Sequence, residues 1–197
     1  MSKKIVVAIC GASGSIYGIR LLKALLSRPL KIYLIISKAG MKVLERETGY
    51  RNEPFSSFLK DQGIIFHENS GLNIYDQDDF FAPPASGSFR HDGMVIAPCS
   101  MKTLGAIASG IADNLIHRAA DVSLKERRPL ILLPRETPLN IIHLKNMHRA
   151  AMAGAVIMPP SPSFYFNPKT ISDLVDTVTA RILNHLNIEH DLSKEWG

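Results

Sequence analysis

The sequence predicts an α/β fold in which a parallel sheet carries helices on both faces. Short segments that are almost wholly apolar, as strands buried on both faces are, span residues 3–10, 31–36, 93–97, 130–133 and 155–158. Segments with apolar residues at helical spacing alternate with them along the chain. This alternation is typical of parallel strands joined by crossover helices. We therefore predict a Rossmann-like, doubly wound sheet in a single domain over 1–197, with a short C-terminal tail.

The first strand and the turn after it are the stretch around which we interpret the other elements. Glycine, alanine and serine occupy 11–15, and Ile16, Ile19 and Leu22 then follow at helical spacing. Backbone N–H groups and the positive end of a helix dipole point into such a loop, so the loop suits a phosphate. The alternative is a tight strand-to-helix turn that binds nothing, because a Gly-rich loop alone is weak evidence.

The glycine spacing argues against a dinucleotide. Gly11, Gly14 and Gly18 do not form the G-x-G-x-x-G pattern. The strand over 31–36 leads to Lys38, at a place where an NAD site usually offers Asp or Glu to the ribose. A mononucleotide or another phosphate therefore fits better than NAD. NADP stays open, because Lys38 could meet a 2′-phosphate.

Cap residues and glycines delimit the other elements. Ser100 is a candidate N-cap for the helix after the strand at 93–97, and Gly49 ends the helix after the strand at 31–36. From these signals we predict helices over 38–47, 55–59, 112–126, 139–153 and 171–186, a strand over 63–66, and loops over 76–89 and 159–165. On the last helix Arg181 lies away from the inward face.

Charged residues on two of these helices admit a simple surface interpretation. Glu47 lies in a last helical turn, where the dipole disfavours a negative charge, and a solvated carboxylate is the default expectation. Arg118, Asp121 and Lys125 fall at i, i+3 and i+7 and form one polar stripe. Spacing alone favours a surface ion-pair ladder for that stripe.

Polar side chains follow the predicted strands at the point where each strand ends. In parallel sheets ligands bind outside the carboxyl ends of the strands, so we expect these side chains to meet at one edge. They are Ser13, Ser37, Ser100 with Lys102, Arg135 with Glu136, and Tyr165.

The composition indicates a globular protein that acts on small anions. Apolar residues make up 46% of the chain, which excludes disorder, and the apolar runs are too short to span a membrane. The net charge is +5, but the basic residues are dispersed and lack interleaved aromatics, so we predict no nucleic-acid binding. Cys10 and Cys99 are expected to be reduced core residues of a cytoplasmic protein without a metal cluster. Trp196 in the tail is a candidate for docking on a neighbouring subunit.

Several blocks, taken together, resemble the UbiX-type flavin prenyltransferases, formerly described as aromatic-acid decarboxylases. The similarity runs in order from about Lys4 to Leu186. The blocks are Gly-Ala-Ser-Gly at 11–14, Ile-Ser-Lys-Ala at 36–39, Ala-Pro-Pro-Ala-Ser-Gly-Ser at 82–88, Pro-Cys-Ser at 98–100, Arg-Ala-Ala-Asp-Val at 118–122, Leu-Lys-Glu-Arg-Arg-Pro-Leu at 124–130, Pro-Arg-Glu-Thr-Pro at 134–138 and Phe-Tyr at 164–165.

The resemblance implies a flavoprotein-type three-layer sandwich that joins a dimethylallyl group from dimethylallyl monophosphate to reduced FMN at N5 and C6. It implies no metal, a dodecamer with sites at subunit junctions, and a UbiD-type decarboxylase that receives the prenylated FMN. The FMN positions would be Gly11, Ala12, Ser13, Ser37, Ser100, Met101, Lys102, Thr103 and Arg135. The prenyl phosphate would fall to Arg118, Lys125, Tyr165 and Arg181, and catalysis to Ser13, Glu47, Lys125, Glu136 and Tyr165.

That chemistry needs cations near a departing phosphate and an aromatic face near a cationic carbon. Phe80 and Phe81, which could instead belong to the core, stand where the family often has Trp and offer a weaker π face. Two rival functions remain at this point. A related cysteine decarboxylase of the phosphopantothenoylcysteine type carries Pro-x-Met-Asn, where this chain has Pro-Arg-Glu-Thr-Pro. A flavin carrier without chemistry would not need Lys125, Glu136 and Tyr165 together.

Overall fold

The computed structural model describes residues 2–51, 53–165 and 167–192. Within these residues, six strands form one parallel sheet: β1 (Lys4–Ile9), β2 (Lys31–Ile36), β3 (Gly71–Asp76), β4 (Gly93–Cys99), β5 (Leu130–Pro134) and β6 (Val156–Ile157). Their order is β3-β2-β1-β4-β5-β6, and every neighbouring pair is parallel. The chain thus reverses its direction of winding between β1 and β4, which confirms the predicted doubly wound sheet.

Helices cover both faces of this sheet. Over the described residues they are α1 (Ser15–Leu26), α2 (Lys38–Thr48), α3 (Phe55–Asp61), α4 (Met101–Ala108), α5 (Leu115–Lys125), α6 (Ile141–Met152) and α7 (Ile171–His185). One apolar cluster joins the sheet to α1, α2, α3 and α7, and includes Leu22, Leu44 and Leu183. A second cluster joins the opposite face to α4, α5 and α6, and includes Leu104 and Ala119. The predicted three-layer sandwich is confirmed.

The apolar runs became strands because the helices bury them from both sides. Every residue of β4 and of β5 is buried. In β1 only Lys4, at its start, is partly exposed. Two-sided burial leaves no place for the alternation of polar and apolar residues that one-sided sheets show.

The predicted strand over 63–66 is wrong. Ile64 is buried after α3, but Ile65 is 80% exposed and the segment pairs with no strand. The strand in this region is β3, which lies at the edge of the sheet and is half exposed along its length. An edge strand can carry polar residues such as Asn73, so β3 lacks an apolar run that would reveal it in the sequence.

Most other bounds agree with the prediction within a few residues. The largest shift is at α5, which begins at Leu115 because the Asn114 side chain accepts a hydrogen bond from the N–H of His117 at 2.9 Å and caps the helix.

Phe80 and Phe81 are 45% and 102% exposed and do not belong to the core of this chain. Cys10 and Cys99 are buried and unbridged, as predicted. Trp196 lies outside the described residues.

Candidate active site

The predicted flavin residues gather at one edge of the sheet. They follow β2, β1, β4 and β5, which are successive neighbours in the sheet, at the carboxyl end of each strand. A direct hydrogen bond joins two of these loops, because the Arg135 Nε donates to the Ser13 carbonyl oxygen at 2.9 Å. The structure thus confirms that the topology brings these positions to one edge.

The loop after β1 has the backbone geometry of a tight strand-to-helix turn. Gly14 precedes α1 with a φ of 107°, a left-handed conformation that favours glycine. Gly11 packs so closely on α2 that a Cβ there would lie 2.5 Å from the Ala39 Cβ. Because of this approach, the Ser13 loop and the start of α2 at Ser37 form adjacent walls of the site.

Glu47 occupies the position at the start of α1 where the sequence predicts a phosphate. Its carboxylate oxygens accept hydrogen bonds from the N–H of Gly14 at 3.0 and 3.1 Å and of Ser15 at 2.7 Å. Glu47 is exposed, as expected of a surface carboxylate, but it also bonds to the start of α1, which the sequence did not predict. Glu47 reaches from the last turn of α2 to another helix, whose N-terminal N–H groups and dipole stabilise a negative charge. A phosphate could use these two N–H groups only in place of this carboxylate.

The same contacts set the protonation state of Glu47. Burial acts to raise the pKa of its carboxyl group, but hydrogen bonding by the Ser13 side chain and by the two backbone N–H groups outweighs burial and holds the pKa below its usual range. Glu47 is therefore an anion at neutral pH. A cleft of about 480 Å³ opens beside it, lined by Ser13, Gly14, Ile16, Glu47, Thr48 and Gln62.

The starts of α2 and α4 supply further backbone donors at this edge. Ser37 caps α2, with its Oγ accepting from the Gly40 N–H at 2.9 Å. Ser100 caps α4 as predicted, accepting from the Thr103 N–H at 3.3 Å. The first N–H groups of a helix have no partner within the helix, so those of Met101 and Lys102 suit an anion.

Two cysteines lie beneath this edge. The Thr103 hydroxyl donates to the Cys10 sulfur at 3.3 Å. Burial raises the pKa of the Cys10 thiol to about 11, and burial likewise holds the pKa of Cys99 well above its usual value. Both thiols are protonated at neutral pH and pack as small core side chains, so neither is a nucleophile here.

Three of the four residues predicted to hold the prenyl phosphate lie in two separate helical layers of the fold, and the fourth lies in a loop. Arg118 and Lys125 are on α5, which packs on one face of the sheet, whereas Arg181 is on α7, which packs on the other face. Lys125 is the last residue of α5, shortly before β5 begins. It therefore lies near the edge of the sheet opposite the predicted flavin residues. Tyr165 follows β6 and precedes α7, and it is 80% exposed.

Within one chain, Arg118 and Lys125 of α5 bond to neighbouring residues of the same chain. The Arg118 Nε donates to the Ala85 carbonyl oxygen at 3.0 Å and its Nη1 lies 2.8 Å from Asp121, while Lys125 Nζ lies 2.6 Å from Glu126. The predicted ladder pairing of Arg118 with Asp121 is thus confirmed. Glu136 is exposed, and its carboxylate accepts from the Thr137 N–H at 3.0 Å.

Arg128 has a contact that sequence reasoning missed. Its guanidinium donates to the carbonyl oxygens of Phe89 at 2.6 Å and of Gly87 at 2.7 Å. Together with Arg118 it holds the small-residue loop at 82–89 against α5. Long-range contacts of this kind leave no local pattern in the sequence.

The structure also disfavours the NADP interpretation. Lys38, the candidate partner of a 2′-phosphate, forms an ion pair with Asp78 from the loop after β3. Among the described residues no helix could cross a membrane, and no three His, Cys, Asp or Glu side chains are grouped so that they could hold a metal ion.

The fold and this edge define a nucleotide-binding α/β protein of the doubly wound class. The flavoprotein family model matches residues 1–183. The flavin prenyltransferase UbiX of Pseudomonas aeruginosa is 46% identical over 200 residues, which cover 99% of this chain and 94% of the relative. The chain belongs to the flavoprotein family and, within it, to the flavin prenyltransferases.

Solved structures agree with this assignment. The crystal structure of AnUbiX (PadA1) in complex with FMN and dimethylallyl pyrophosphate matches with a TM-score of 0.90 and 42% identity, over 100% of this chain and 98% of that one. A dodecameric FMN-dependent UbiX-like decarboxylase from Escherichia coli O157:H7 matches with a TM-score of 0.87 and 40% identity, over 98% and 99% of the two chains.

Proposed function

We propose that this protein transfers the dimethylallyl group of dimethylallyl monophosphate to reduced FMN and so makes prenylated FMN for a UbiD-type decarboxylase. The observation that carries the proposal is the full-length similarity to AnUbiX, whose structure holds FMN and dimethylallyl pyrophosphate together. When bound, reduced FMN supplies the N5 and C6 positions at which the prenyl group is joined.

The donors at the carboxyl edge of the sheet fit a flavin mononucleotide. The starts of α2 and α4 present N–H groups, and Arg135 adds a fixed cation between the loops after β1 and β5. We assign FMN binding to Gly11, Ala12, Ser13, Ser37, Ser100, Met101, Lys102, Thr103 and Arg135. Because Glu47 already takes the N–H groups of Gly14 and Ser15, the start of α4 is the better place for the phosphate.

The cations assigned to the prenyl phosphate act as its C–O bond breaks. The phosphate departs with the bonding electrons, and its growing negative charge is stabilised by Arg118, Lys125 and Arg181 together with the Tyr165 hydroxyl. In one chain the sheet separates α5 from α7, so these residues can meet only if α5 of one subunit reaches α7 of another. The proposal therefore requires a homo-oligomer, and a dodecamer is the state of the relative from Escherichia coli.

Two carboxylates are available for the protons that the flavin loses as new bonds form. Glu47 is an anion beside Ser13 at the flavin edge. Glu136 lies next to Arg135 and is exposed. We assign proton acceptance to these two residues, with Ser13 as the hydroxyl between Glu47 and the flavin.

The two buried cysteines suit a reducing compartment, and we place the protein in the cytoplasm.

Anaerobic incubation with reduced FMN and dimethylallyl monophosphate tests the function. The expected result is a flavin whose mass has increased by one five-carbon unit in a mass spectrum of the extracted cofactor. Parallel reactions with the diphosphate and with phosphopantothenoylcysteine cover the other donor and the rival decarboxylase. Recovery of unmodified FMN only, from enzyme that binds the flavin, would favour the carrier function and refute the proposal.

A further inference from the structure

The proline-rich loop between β6 and α7 has an anchor on α7 that sequence reasoning missed. The Ser163 N–H donates to the Thr177 Oγ1 at 3.0 Å, and the same hydroxyl donates to the Leu174 carbonyl oxygen at 2.7 Å. We propose that Thr177 is a positioning residue for the prenyl phosphate, because it fixes the Tyr165 loop on the face of α7 that carries Arg181. This inference rests on the proposed function.

The loop has few backbone donors with which to fix itself. Pro159, Pro160 and Pro162 lack an N–H group. The Ser161 N–H bonds locally, to the Pro159 carbonyl oxygen at 2.7 Å. The bond from Ser163 is different because it joins the loop to another element of the fold. Ser163 precedes Tyr165 by two residues, so this bond fixes the point from which the chain reaches Tyr165.

Helix geometry places this anchor beside Arg181. Thr177 and Arg181 are four residues apart on α7 and therefore lie on the same face, with Cβ atoms roughly 6 Å apart. Two residues of chain span at most about 7 Å, so the Ser163 anchor keeps the Tyr165 backbone within reach of that face. The anchor thus brings Tyr165 and Arg181, from two segments, to one phosphate.

The helix that provides the anchor is itself held firmly. Asp176, next to Thr177, forms a two-pronged ion pair with Arg20 of α1. Val178 on the other side of Thr177 is 4% exposed and belongs to the core. Because α7 is fixed against α1, the Thr177 hydroxyl is a stable reference point for the loop.

Replacement of Thr177 by valine tests the inference, because it removes the hydroxyl and keeps the branched shape. Loss of the bond frees the loop, and we expect KM for dimethylallyl monophosphate to rise by about tenfold, with kcat within about threefold and FMN affinity unchanged. Thr177→Ser retains the hydroxyl and should restore KM. Hydrogen exchange should show faster exchange over 161–165 in Thr177→Val than in the wild type.

The matched control is Thr179→Val on the same helix. Thr179 is fully buried and its hydroxyl bonds to the Val175 carbonyl oxygen of its own helix at 3.1 Å, so its loss should leave KM and loop exchange unchanged. An unchanged KM in Thr177→Val, or an equal rise in Thr179→Val, would overturn the positioning role while leaving the proposed function intact. If the wild type itself makes no prenylated FMN, the proposed function fails and the inference fails with it.

Discussion

Replacement of Lys125 by alanine distinguishes a catalytic cation from a surface charge. Lys125 pairs with its neighbour Glu126, and the two side chains are 46% and 36% exposed. An exposed pair of this kind contributes little to stability, so the free energy of unfolding should hardly change. If the ammonium meets the departing phosphate, its loss costs roughly 3 kcal/mol of barrier, and prenylation slows about a hundredfold or more.

The assay is single-turnover prenylation of reduced FMN, under anaerobic conditions and with saturating dimethylallyl monophosphate. FMN affinity, measured by titration, should survive because the flavin phosphate is assigned to another edge of the fold. Lys60→Ala is the matched control, since Lys60 is also an exposed lysine in the last turn of a helix, α3. A Lys125→Ala rate within about threefold of the wild type would show that Lys125 is a surface charge and not a catalytic cation.

Three further predictions concern flavin binding, pH and packing. Ser13→Asp places a negative charge beside Glu47 and the flavin, and FMN affinity should fall at least about tenfold in a titration. Burial, aided by the charge of Arg128, lowers the pKa of His91 to about 4. Since the unfolded value is near 6.5, stability should be complete above that pH and fall by up to about 3 kcal/mol as pH drops toward 4. His91→Phe should flatten this slope in thermal unfolding, whereas the same change at exposed His185 should not. Asp176→Asn breaks the ion pair with Arg20 and should lower the free energy of unfolding by about 1–3 kcal/mol in chemical denaturation. An unchanged free energy of unfolding would show that the pair does not stabilise the packing of α7 on α1.

The central strands and the edge at which the site forms could be predicted from the sequence. β2 appears with its bounds intact because four of its six residues are buried and an apolar run follows Lys31. The positions of Ser13, Ser37, Ser100 and Arg135 followed from the rule that parallel strands end at one edge. β3 was not predicted because it lies at the edge of the sheet. An edge strand is held by its hydrogen bonds to one neighbour and tolerates polar side chains, so it needs no apolar run.

Contacts between distant segments were beyond the reach of spacing arguments. The reach of Glu47 to the start of α1 depends on how α2 crosses that helix, which its own sequence does not specify. The stripe on α5 could be recognised, but the side of the sheet on which it lies depends on the topology of the whole chain. Thr177 carried no signal at all, because a threonine within a helix usually bonds only to its own helix.

Mixed assemblies of two inactive variants test most directly whether the phosphate site is built from two chains. Lys125→Ala and Arg181→Ala are co-expressed with different affinity tags, and oligomers that contain both are isolated and assayed for prenylated FMN. If α5 of one chain completes the α7 site of another, about a quarter of the sites receive both wild-type residues, because each contributing chain is intact at its position with a probability of about one half. The mixture should therefore recover about a quarter of wild-type activity, while each variant alone stays nearly inactive. A mixed assembly no more active than either variant would show that one chain supplies both cations, and it would contradict the account.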